Sequence, residues 1–121
     1  MEKVTGIGGL FFRAKDPQAL MAWYDRHLGV TPVSTAPWRQ EEGYTVLAPF
    51  PEDTDYFGRP EQGWMINFRV NDLDAMTAQL TEAGIAVETR PEWDSDIGRF
   101  ARIADPEGNP VELWEPATPP G

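Results

Sequence analysis

One short pattern occurs twice in this chain, and it limits the possible folds more than any other feature. FFRAKDPQAL begins at Phe11 and NFRVNDLDAM at Asn67. Phe12, Arg13, Asp16, Ala19 and Ala22 therefore match Phe68, Arg69, Asp72, Ala75 and Ala78, with the two Asp 56 residues apart (72 − 16). After one gap, Leu28-Gly29-Val30 meets Ala83-Gly84-Ile85. Matches that fall on the same structural punctuation in both halves mark a duplicated unit.

Each copy reads as strand, helix, strands. The stretches at about 7–14 and 64–70 are aromatic-rich and alternate, which predicts strands. Asp16 and Asp72 are N-cap candidates, because a short carboxylate accepts the free amides of a first helical turn. Pro17 suits the first helical position, where no amide is needed. Leu20, Trp23, Tyr24 and Leu28 recur at helical spacing, as do Leu73, Met76 and Leu80, so helices are expected near 17–28 and 73–83. Gly29 and Gly84 stand where a left-handed cap closes a helix. Further strands are expected at 30–34, 44–50, 87–89, about 99–104 and 111–114. Asp105-Pro-Glu-Gly-Asn-Pro110 is turn chemistry and should form a hairpin into the last strand. The proline-rich tail, Pro116–Gly121, is expected to be loose.

At 121 residues the chain is one domain by length and buries a core without a disulfide or metal staple. The expected division is a first module at about 4–60 and a second at about 63–115. The absence of cysteine excludes disulfides, thiol nucleophiles and Cys-based zinc sites. The chain shows no signal-like opening and no long apolar run, which points to a cytoplasmic protein without a membrane partner. A net charge of −10 argues against a nucleic-acid partner.

With these elements in place the chain resembles the vicinal oxygen chelate superfamily, which includes glyoxalase I, bleomycin-resistance proteins and extradiol dioxygenases. FFRAKDPQALMAWYDRHLG, NFRVNDLDAMTAQLTEAG and RIADPEGNPVELWEP carry the resemblance and cover most of the chain. It implies an α+β fold of two βαβββ modules whose curved mixed sheet surrounds a cleft. It also implies a homodimer, with small-molecule chemistry or binding in the cleft. The metal enzymes of the family place a ligand early in the first strand of each module and a carboxylate late in its last strand. Counted back from the Asp caps, the first positions fall here on Gly9 and Met65, neither suited to hold a divalent ion. Glu112 falls on the closing-strand carboxylate. No metal and no cofactor are expected. His27, the single histidine, sits near a helix end, where it complements the last carbonyls.

Alternation along the strands selects the cleft residues. Phe11 and Arg13, Asn67 and Arg69, and Glu112 and Trp114 should share the face away from the helices, with Trp38 and Tyr56 added from loops. Phe50, Phe57, Trp93 and Phe100 are further aromatic candidates. Aromatic rings give stacking faces with a polar edge, and an Arg can hold a carboxylate or phosphate by paired bonds. Two functions fit. One is a lyase or isomerase acting on a small organic substrate, with Glu112 as general base. The other is a non-catalytic protein that sequesters a small molecule, as drug-resistance members do.

Overall fold

The computed structural model describes residues 1–117. Helix α1 spans Pro17–Leu28 and helix α2 spans Leu73–Glu82. Both start as the sequence requires. The Asp16 carboxylate accepts the Ala19 amide at 3.1 Å, and Asp72 accepts Ala75 at 3.0 Å. A second carboxylate helps at α2, where the Leu73 amide donates to Glu115 Oε1 at 2.8 Å. Gly29 closes α1 at φ 72°, a left-handed conformation that costs glycine little.

Strands β1 (Ile66–Arg69), β2 (Gly98–Ala104) and β3 (Pro110–Pro116) form an open mixed sheet in the order β1-β3-β2. β3 runs parallel to β1 and antiparallel to β2. Its odd-numbered residues Val111 and Leu113 join Ala101 and Ile103 of β2 on one face. There they meet Leu20 and Tyr24 of α1 and Leu73 and Leu80 of α2 in a single buried core. Both helices thus lay their apolar stripes on the sheet, giving an α+β fold. Among the described residues, no helix is long and apolar enough to cross a membrane.

The hairpin turn is held from inside. The Asp105 amide donates to the Asn109 carbonyl at 3.0 Å. The buried Asp105 carboxylate accepts the amides of Glu107 and Asn109, the Asn109 side chain, and the Tyr24 hydroxyl at 2.7 Å. Burial, reinforced by that carboxylate, pushes the Tyr24 hydroxyl far above its ordinary pKa. The Glu107 carboxylate reaches back to the amides of Lys15 and Asp16 at 2.7 and 3.0 Å. The turn therefore clamps the start and middle of α1.

The strands expected at 7–14, 30–34 and 44–50 do not form ladders. A strand is defined by the partner that accepts its amides, and these segments have none within the described residues. At 7–14 and 44–50 apolar side chains are left outward, Phe11 93 % exposed and Leu47 88 %, while 30–34 passes from Val30, packed on the core, into a turn closed by Thr35 N–H to the Pro32 carbonyl at 2.9 Å. Alternation persists at 11–14, where Phe12 and Ala14 pack on the core while Phe11 and Arg13 do not. The strand expected at 87–89 reduces to one bridge, in which Glu88 and Arg102 exchange two backbone bonds at 2.8 Å. The closing strand is longer than expected and takes in Pro116; the remainder of the tail, 118–121, lies outside the described residues.

Candidate functional site

The register of the sheet lays two rows across the face opposite the helices. One is Asn67–Glu112–Arg102 and the other Arg69–Trp114–Phe100. The connector between the halves crosses this face in tight turns, closed by Thr54 N–H to the Pro51 carbonyl and Gly58 N–H to the Asp55 carbonyl, each 3.0 Å. These turns aim the Tyr56 hydroxyl at Glu112, to which it donates a hydrogen bond. The other carboxylate oxygen accepts from Asn67 Nδ2 at 2.7 Å. Glu112 thus has a donor on each oxygen. Burial first, then the bond to Glu112 and its negative charge, push the Tyr56 hydroxyl up to about 12, so it remains a protonated donor.

Aromatic groups and a cation surround the Tyr56 ring. The Arg102 guanidinium lies 4.9 Å over the Tyr56 ring. Trp93 meets the ring edge-on at 6.2 Å, and Phe50 lies nearly parallel to it at 6.0 Å. Phe57 packs on Phe50 at 5.0 Å. Arg90 covers Trp93 at 5.3 Å while binding Glu88 at 2.7 Å. An open groove of about 390 Å³ adjoins the cluster, between Phe57, Arg59 and Val87 on one side and Arg102, Ile103 and Pro110 on the other. That volume is within the ~300–1,000 Å³ typical of small-molecule sites.

The structure brings Glu112, Asn67 and Tyr56 together and separates the other candidates from them. Arg69 neighbours Trp114 in the register but donates to the Glu41 carbonyl at 3.1 Å and packs against Gly43, rather than pairing with Glu112. Trp114 is only 8 % exposed. Its indole N–H is engaged by the Ile97 carbonyl at 2.8 Å, and its ring lies parallel to Phe100 at 6.3 Å. Gly98 allows this approach, because a Cβ there would collide with the Glu115 carbonyl and the Trp114 ring. Trp38 wraps round the sheet edge onto Phe68, the wrong side of β1 for Glu112. Phe11 points to solvent, and Arg13 opens on a second groove with Lys15, Arg59 and Glu107. Nothing in the unladdered 7–14 segment holds either against the sheet. Arg102 was missed by strand alternation alone. Counting across the hairpin from Glu112 finds it, since Arg102 is the Cα partner of Glu112.

A divalent metal does not suit this donor set. Gly9 offers no side-chain donor and Met65 only a thioether, a poor ligand for hard or borderline ions. Both oxygens of Glu112 already accept hydrogen bonds. No group of three His, Cys, Asp or Glu stands together among the described residues.

The fold matches TnmS3, an antibiotic binding protein from Streptomyces sp. CB03234, with a TM-score of 0.61 over 97 % of this chain and 100 % of that one. At 21 % identity the likeness is one of fold. In sequence, the chain is 35 % identical over 66 residues to the anthracycline biosynthesis protein DauV of Streptomyces sp. (strain C5), 54 % of this chain and 24 % of the relative. It is 37 % identical over 54 residues to CFP32 of Mycobacterium tuberculosis (strain CDC 1551 / Oshkosh), whose name carries a provisional glyoxylase label; that is 45 % of this chain and 21 % of the relative. The chain thus spans a quarter or less of the length of these curated relatives. The family model for the Glyoxalase/Bleomycin resistance protein/Dioxygenase superfamily matches residues 6–113, and the chain belongs to that superfamily.

Proposed function

We propose that the chain binds a small planar aromatic molecule without transforming it. The observation that carries this reading is the immobilised Tyr56. Its hydroxyl is tied to Glu112, one face is covered by Arg102, and Trp93, Phe50 and Phe57 continue the aromatic surface beside an open groove. Fixed aromatic faces bind planar ligands at low cost in side-chain entropy. Lyase or isomerase chemistry with Glu112 as base is less well supported, because each of its oxygens already accepts a protein donor, which occupies part of its capacity to take a substrate proton. DauV is named for anthracycline biosynthesis, which supports the aromatic character of the ligand.

The binding unit we infer is a homodimer. Ile7, Leu10, Phe11, Val46 and Leu47 are exposed on extended segments without ladder partners, and a second copy offers these segments both strands and apolar cover.

Calorimetric titration with naphthalene-2-carboxamide and its saturated counterpart, decahydronaphthalene-2-carboxamide, tests the binding reading. The aromatic probe should bind once per chain, at least about tenfold tighter than the saturated one, and Tyr56→Ala should weaken it. Equal affinity for the two probes, or no binding of either, would refute the reading.

A further inference from the structure

The cations of this acidic chain are not spread evenly. The groove beside Tyr56 is lined by Arg59 and Arg102, and the neighbouring groove of about 320 Å³ by Arg13, Lys15 and again Arg59. The two grooves share Arg59, whose Nη1 lies 3.9 Å from the point where a Cβ on Gly108 would stand. They form one track past the hairpin turn, lined by four of the ten Lys and Arg of a chain with net charge −10. Among the described residues, only two carboxylates line it, and each is committed. Glu88 is held by Arg90 at 2.7 Å, and Glu107 accepts two backbone amides.

The cations differ in their commitments. Arg90 and Arg99 each have a carboxylate at 2.7 Å, and Arg69 donates to a carbonyl. Arg59 has only a distant ion pair, 3.8 Å from Glu61, along with a bond to Gln62. Arg13, Lys15 and Arg102 make no ion pair among the described residues. Arg102 is half-buried as well; its guanidinium lies over the Tyr56 ring and close enough to the Tyr56 hydroxyl to work against the rise in its pKa. A guanidinium stacked on a ring keeps its N–H edge free for an oxyanion.

We infer that the ligand is an acidic aromatic compound, whose rings lie against Phe57 in the groove beside Tyr56 and whose anionic oxygen group is received by Arg102 and Arg59. This rests on the aromatic-binding reading above and adds the charge of the ligand to it. Attraction on one track of an otherwise repulsive surface selects among aromatics, because an anion is held there and turned away elsewhere.

Naphthalene-2-carboxylate differs from naphthalene-2-carboxamide in charge and hardly in shape, so the pair isolates this inference. At low ionic strength the native protein should bind the carboxylate about tenfold more tightly, ~1.4 kcal/mol, and the preference should shrink as salt is raised. Arg59→Gln should reduce the preference while leaving the carboxamide bound, and Arg102→Gln should reduce it as well. Equal affinity for the two naphthalene probes on the native protein, or a preference for the amide, would overturn the acidic-ligand inference and leave the aromatic reading standing. A carboxylate preference that survives both substitutions would overturn the assignment to Arg102 and Arg59. If neither naphthalene probe binds, both readings fall.

Discussion

Tyr56 and Asp105 show how much one side chain can organise. Tyr56→Phe removes a donor from Glu112 and nothing from the ring stack, so it should cost about 1–2 kcal/mol in chemical unfolding and little probe affinity. Glu112→Gln puts an amide N–H₂ group opposite one of two donors. It should destabilise by a similar amount, and a loss of probe affinity well beyond that of Tyr56→Phe would show that the charge itself contacts ligand. Asp105→Asn is the severe case, roughly 3 kcal/mol, because a buried carboxylate that accepts four donors loses charge and gains a misplaced donor. Alkaline titration reads the Tyr24 and Tyr56 hydroxyls together. Both lose their protons less readily when folded than the ordinary value of 10.0. Their contribution is therefore complete below about pH 10, and for Tyr56 it is lost as pH rises through about 12. Denaturation midpoints measured upward from pH 9 should fall in that interval, and less steeply in Tyr56→Phe.

The helices and the closing hairpin were legible because their signals are local. Asp16 and Asp72 each accept the amide three residues on, and replacing either with Ala should lower stability by about 1 kcal/mol in thermal or chemical unfolding. The turn at Asp105–Pro110 writes its own geometry through Asp, Gly and Asn, so the register that joins Arg102 to Glu112 was also within reach. The strands of the first half were not. Alternation at 7–14 and 44–50 states that one face wants cover, but a ladder needs a partner, and no partner is encoded in the segment itself. The same limit applies to the site. Strand parity brought Asn67 and Glu112 to one face, whereas Arg69, Trp114 and Trp38 were settled by Glu41, Ile97 and Phe68, contacts that no periodicity describes.

At the scale of the molecule the two halves are unequally finished. The second has its sheet, helix and hairpin, while the first contributes a helix and chain that joins no ladder. A second copy is the proposed complement. Sedimentation at micromolar concentration should give twice the 13.6 kDa of one chain, and Leu47→Glu, which places a charge in the uncovered apolar segment, should shift it toward the monomer. A single 13.6 kDa species for the native protein would refute that assembly. The clamp of the hairpin on α1 has a consequence in time. The contacts that hold α1 come from residues 81 to 92 positions later in the chain. At roughly 5–20 residues per second of synthesis, the helix emerges from the ribosome on the order of five to twenty seconds before its anchor exists. For that interval Leu20 and Tyr24 face water or a chaperone, so the newborn chain is most vulnerable at its first helix, the element that the finished protein hides best in its first half.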